Sequence, residues 1–138
     1  MYRFIDHTAD IAFEVEAETL DGLIEEASKA FYEAFVFVDK LEVSEEVTLD
    51  VEADGDDYLL FKWLNELLYL FDTRHFAGRE VSVSVESVAA GTLKARGVIW
   101  GGKLRDELVR CEPKAITLHK FTVERKDGGW RAFVIVDI

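Results

Sequence analysis

Trp130-Arg131-Ala132-Phe133-Val134-Ile135-Val136-Asp137-Ile138 is the stretch that decides the architecture. Nearly every position from Ala132 to Val136 is apolar. A strand with both faces covered reads this way, so the segment belongs in the middle of a sheet. Just upstream, Lys126-Asp127-Gly128-Gly129 contains Asp-Gly, the dipeptide of a tight hairpin. The hairpin folds the segment from Ala115 to Arg125 back as an antiparallel strand. Further upstream, Val81, Val83 and Val85 alternate with Ser82, Ser84 and Glu86, another strand. Ala90-Gly91-Thr92 reads as a turn. Leu93 to Trp100 reads as a strand interrupted by Gly97 and ended by Gly101-Gly102, and the polar segment Lys103 to Glu112 as a loop.

The first half reads differently. Ile11 to Glu16 has strand character. Leu20, Leu23, Ile24, Ala27, Phe31, Ala34, Phe35 and Val38 then fall at helical spacing on one face. Thr19 is placed to cap that helix, and Asp21 lies in its first turn, where the dipole favours an acid. Gly22 stands where a capping box would have Glu or Gln. Val47, Leu49 and Val51 alternate with Thr48, Asp50 and Glu52 in a half-buried strand. The acidic turn Asp54-Gly55-Asp56-Asp57 opens a second helix with the stripe Leu60, Trp63, Leu64, Leu67, Leu68 and Phe71. Leu59, Phe61 and Leu70 widen its apolar surface, so burial on more than one side is expected ahead of a partner groove. The order predicts an α+β fold, an antiparallel or mixed β-sheet layer with two packed α-helices, as a single domain over residues 1–138.

The chain has 138 residues and a formal charge of −12. The charge is uneven. Met1 to Asp57 holds 18 acids against 3 basic residues, whereas Lys103 to Lys126 holds 7 basic residues against 4 acids. A surface of that sign repels free nucleic acid and attracts basic partners or metal ions. No apolar run is long enough to span a membrane, the first ten residues do not read as a signal peptide, and the one cysteine, Cys111, fits a reducing compartment. The expectation is a cytoplasmic protein that binds neither membrane nor free nucleic acid strongly.

A Gly-rich phosphate loop, zinc-type Cys/His spacing and a Gly-x-Ser-x-Gly elbow are all missing from the sequence. What remains is Asp6-His7-Thr8-Ala9-Asp10, two carboxylates and an imidazole within five residues. The stretch reads either as part of a site or as a polar turn in which Asp6 or Thr8 caps backbone groups, with His7 a hydrogen-bonded structural residue. At the other end, Asp137 and Ile138 close a very apolar strand that would fix their oxygens in place. Clustered carboxylates repel unless a cation or proton joins them, and hard oxygens favour calcium or magnesium. Nothing in the spacing shows that residues 10 and 137 meet.

Four segments occur together in one order: Asp6 with His7-Thr8-Ala9-Asp10, Leu60-Phe61-Lys62-Trp63-Leu64-Asn65-Glu66-Leu67-Leu68, Lys114-Ala115-Ile116-Thr117-Leu118-His119, and Val136-Asp137-Ile138. In this the chain resembles the archease family over essentially its whole length. The resemblance implies an accessory protein, not itself an enzyme, that activates the GTP-dependent RNA ligase of tRNA splicing and RNA repair. That ligase joins 3′-phosphate or 2′,3′-cyclic phosphate ends to a 5′-hydroxyl through a guanylylated histidine of its own. The accessory protein speeds guanylylation and supports multiple turnover. The resemblance also implies a divalent-metal site (calcium, or magnesium or manganese) on Asp10, Asp137 and Ile138, the last through its main-chain oxygen or carboxylate. It gives Lys114 a functional role, with His7 and Asp6 beside it in contact with the ligase or its nucleotide. Leu118 stands where the family pattern has an aromatic residue, which sets His119 apart from Lys114.

Two other classes compete. A metal-dependent phosphohydrolase or nuclease would use Asp10 and Asp137 but needs further ligands and a positive groove. An interaction module or chaperone would use the apolar second helix. Asp39 and Asp72 follow the two helices and read as solvated loop acids, and His75 as the C-terminal cap of the second helix.

Overall fold

The structure, a computed structural model, describes residues 1–5 and 10–138. In chain order the elements are β1 (Tyr2–Ile5), β2 (Asp10–Ala17), α1 (Leu20–Phe35), β3 (Glu45–Asp54), α2 (Asp56–Arg74), β4 (Phe76–Ala89), β5 (Thr92–Lys103), β6 (Ala115–Lys126) and β7 (Gly129–Asp137). Short 3₁₀ turns cover Val38–Lys40 and Asp106–Leu108. The class is α+β, with antiparallel strands and two helices, as the periodicities predict. The strands divide into two sheets, ordered β1-β2-β7-β6 and β3-β5-β4. Both helices touch each other and strands of both sheets, so they lie between them.

That placement explains the composition of α2. A helix between two sheets must be apolar on opposite sides, and Leu59, Leu60, Trp63, Leu64, Leu67, Leu68, Leu70 and Phe71 are all buried. Phe61 packs edge-on against Phe121 of β6. A polar tie in this interior joins the helices: the Trp63 indole N–H donates to Ser28 Oγ at 2.8 Å, and that hydroxyl donates to the Ile24 carbonyl at 2.7 Å. Both groups are thereby satisfied away from water.

The caps follow the sequence reading. Thr19 Oγ1 accepts the Gly22 N–H at 3.0 Å. Helix α1 ends at Phe35, short of Val38, because Val36 turns extended and forms a bridge with Val109. Helix α2 closes at His75, whose left-handed backbone (φ 49°) lets its N–H reach the Leu70 carbonyl. The edge of β4 is sealed by α1: Val83 N–H donates to Glu25 at 2.8 Å and Val85 N–H to Asp21 at 2.9 Å. Four helical residues rise about 6 Å, and two strand residues about 6.8 Å, so carboxylates one turn apart match alternate amides of a strand.

The second half of the chain differs in places from the sequence reading. Strand β5 runs through Gly101-Gly102 to Lys103. Those glycines admit close backbone neighbours instead of stopping the strand, since a Cβ at either position would strike the carbonyl of Ala77 or Glu42. The segment after Lys103 is irregular as expected, but Val109 is tied to Val36. Strand β6 is interrupted: its register with β7 slips between Thr117 and Thr122, with Lys120 left-handed at φ 57°. The hairpin at Asp127 and Gly128 has both residues left-handed (φ 50° and 80°), as a tight two-residue turn requires.

Candidate functional site

Strand β7 lies between β2 and β6, the interior position read from its sequence. In that position it serves two neighbours at once. Its Asp137 is the register partner of Asp10 on β2 and of Ala115 on β6. The Lys114 N–H donates to the Asp137 carbonyl at 2.8 Å. Asp10, Asp137, Ile138 and Lys114, scattered over the sequence, therefore meet at one end of the four-stranded sheet. Directly opposed residues on antiparallel strands project to the same face, with Cβ atoms about 4.5–5.5 Å apart. Asp10, Ala12 and Glu14 share that face by the two-residue period, while Phe13 and Val15 point into the core. Asp10 and Asp137 are half-buried, Lys114 is exposed, and Ile138 is 42% exposed.

Electrostatics separate the acids on this face. Glu14 is held between two guanidinium groups, Arg3 at 3.1 Å and Arg131 at 3.0 Å. Burial pushes its pKa up, but hydrogen bonds and charge attraction from Arg3 and Arg131 outweigh that and hold it below the usual carboxylate range. Glu14 is thus neutralised within the protein. Asp10 and Asp137 stand directly opposite each other on neighbouring strands. Among the described residues no three His, Cys, Asp or Glu side chains are grouped to hold a metal ion. The residues that could offer oxygens to a cation at this end are Asp10, Asp137 and, through its main chain, Ile138. Such hard oxygens suit calcium, magnesium or manganese with water completing the shell.

Asp6 and His7 lie outside the described residues. His119 is exposed in the irregular stretch of β6, its N–H on Thr117 Oγ1 at 3.0 Å, several residues along the strand from Ala115. Asp39 is exposed. Asp72 lines a different cleft, with His75, Asp106 and Glu112. Cys111 is half-buried, and burial pushes its thiol up, away from the reactive thiolate.

Two residues that the sequence reading passed over also belong here. A cleft of about 380 Å³ opens beside Asp10, lined by Phe4, Ile11, Ala34, Glu33 and Arg110 among others. Glu33 comes from the last turn of α1. Arg110 is anchored through its backbone, its N–H on the Phe35 carbonyl at 2.8 Å, and its guanidinium lies 5.1 Å from the centre of the Phe37 ring. The excess of basic residues between Lys103 and Lys126 was the available signal for Arg110; no periodicity marked Glu33.

The chain is similar to known proteins over nearly its whole length. The model of the Archease protein family (MTH1598/TM1083) matches residues 2–138. Protein archease of Archaeoglobus fulgidus is 53% identical over 137 residues, covering 99% of this chain and 98% of the relative. The solution structure of Methanobacterium thermoautotrophicum protein 1598 superposes with a TM-score of 0.89 at 28% identity, over 99% of this chain and 98% of that one. The crystal structure of a Thermotoga maritima archease, described as a possible chaperone, shares the fold with a TM-score of 0.61 at 22% identity, over 97% and 94% of the two chains. With the four sequence segments, the two-sheet fold and the family match in agreement, the chain belongs to the archease family.

Proposed function

We propose that this archease is an accessory protein that activates a GTP-dependent 3′-phosphate RNA ligase, promoting guanylylation of the ligase and its multiple turnover. The observation that supports this most directly is the register of Asp10 against Asp137, with Lys114 bonded to the same residue. A resident divalent cation would supply positive charge next to the phosphates of the ligase's nucleotide, offsetting the negative charge that develops there. Asp10, Asp137 and the Ile138 main-chain oxygen would hold it. Lys114, tied to Asp137 through its backbone, would offer its ammonium to a phosphate oxygen or an acidic group of the ligase. Asp6 and His7 enter the same reading through the family resemblance.

The charge distribution fits a protein partner. With a formal charge of −12, the surface suits the basic face that an RNA-binding enzyme carries. The covalent chemistry stays with the ligase.

The test is ligase guanylylation and multiple-turnover ligation with and without this protein, comparing wild type with Asp10→Ala, Asp137→Ala and Lys114→Ala. Acceleration by wild type and its loss in the variants is expected. Identical rates in all reactions would reject the reading, and RNA or nucleotide hydrolysis without ligase would replace it with an enzymatic one.

A further inference from the structure

Strand β6 departs from regular pairing at one place. Between Thr117 and Thr122 it advances five residues while β7 advances two, from Ile135 to Phe133, so three residues are surplus to the ladder. The extruded stretch is held at both ends. The His119 N–H donates to Thr117 Oγ1 at 3.0 Å, and the Phe121 ring packs edge-on against Phe61 of α2, with 5.6 Å between centres. Lys120 has a left-handed backbone at φ 57°, a conformation that is unfavourable for a residue with a Cβ and persists only where its surroundings impose it. What this shape presents to solvent is Leu118, 57% exposed, with His119 and Lys120 also exposed. Lys120 makes no ion pair among the described residues, in a chain of formal charge −12. As the outer strand of its sheet, β6 gains from a charged bulge, which discourages pairing with other chains. Polar residues alone serve that use, and a leucine left exposed works against it.

Position adds a second argument. The same strand begins at Ala115, the register partner of Asp137, and Lys114 just before it is bonded to the Asp137 carbonyl. Leu118 is three residues beyond Ala115, at most about 11 Å of chain. A protein interface of standard size covers roughly 800 Å² on each partner, a patch reaching about 16 Å from its centre. A partner centred on the Asp137 end of the sheet therefore covers the protrusion as well. An exposed leucine beside an unpaired lysine matches an apolar pocket with a carboxylate at its rim. Phosphates of RNA would answer Lys120 and leave Leu118 in water, so a protein fits both residues better. A second copy of this chain pairing along β6 would bring the same basic segment against itself. We infer that Leu118 and Lys120 form a docking point for the ligase, with Leu118 entering an apolar pocket and Lys120 meeting a carboxylate. The inference rests on the ligase reading above for the identity of the partner, and it separates docking on β6 from the action of the Asp137 end.

The test follows ligase guanylylation over a concentration series of the purified full chain, with the ligase of the same organism. Leu118→Ser and Lys120→Glu should each raise the concentration for half-maximal stimulation at least five-fold. Maximal stimulation should stay within two-fold of wild type and the melting temperature should be unchanged, since both side chains are exposed. Lys120→Arg should dock as wild type does, and Asp137→Ala should instead lose the maximal stimulation. Half-maximal concentrations equal to wild type in both Leu118→Ser and Lys120→Glu overturn the inference and leave the ligase reading standing. Loss of maximal stimulation at an unchanged half-maximal concentration does the same, because the protrusion would then act on the reaction and not on docking. Wild type that gives no stimulation at any concentration sinks the ligase reading, and the docking point with it. Binding of a fluorescent 3′-phosphate RNA without ligase, lost in Lys120→Glu, assigns the protrusion to RNA and overturns the inference.

Discussion

Asp137 stands opposite Asp10 on one side and Ala115 on the other, so one residue of the central strand ties both neighbours at the same level of the sheet. Asp137→Asn should abolish the response of the melting temperature to calcium. With calcium at a hundred times its dissociation constant, wild type should gain about 2.7 kcal/mol and the variant nothing. Thermal melts with calcium and with chelator measure both. A wild-type melting temperature that ignores every divalent cation tried would argue against the site.

The Ser28 hydroxyl is the partner of the buried Trp63 indole. Ser28→Ala leaves that N–H without an acceptor and should cost about 1–3 kcal/mol. Trp63→Phe removes the donor but opens space in the interior. Urea unfolding of both single variants and the double variant should show a non-additive pair, with Ser28→Ala costing much less once the indole is gone.

Asp21 and Glu25 act as acceptors for β4 in place of a further strand. Glu25→Ala should lower stability by about 1 kcal/mol, the net value of a typical hydrogen bond. The double variant Asp21→Ala/Glu25→Ala exposes two edge amides and should favour self-association. Urea unfolding and size-exclusion chromatography across a concentration series are the measurements. A double variant as stable and as monomeric as wild type would show that helix coverage alone protects the edge.

Glu14 gives the fold a pH dependence of known sign. Its carboxyl is held below the usual range by Arg3 and Arg131 against the opposing effect of burial. The stabilisation is therefore complete above the unfolded value of about 4.3 and is lost as pH falls through the lower folded value. Glu14→Gln should be less stable at neutral pH, and the gap should narrow below about pH 4. Urea unfolding at pH 7 and pH 3.5 compares the two.

Much of this was legible in the sequence because local rules agreed. Thr19, the α1 stripe and the Asp127-Gly128 turn each carry a signal within a few residues, and β7 announced its interior position by its apolar run from Ala132 to Val136. The division into two sheets was not legible, because strand periodicity reports which face is covered and not which strand is the neighbour. The width of the α2 stripe was its one trace. Gly101-Gly102 misled because glycine marks both turns and close backbone approach, and only the position of Ala77 and Glu42 separates the two. At the site, Asp10 and Asp137 were singled out through the family resemblance; their meeting is a matter of register between distant strands. Arg110 and Glu33 were missed because a cleft between α1 and a loop leaves no periodic trace.

The pairing of β2 with β7 closes a loop of almost the whole sequence. Long closures cost more chain entropy than local turns and are slow to form. The carboxylate pair therefore exists only in molecules whose distant segments have already come together, and a partly folded chain has no such pair to offer. A cation held there would act as a clasp, and its uptake would distinguish finished molecules from unfinished ones.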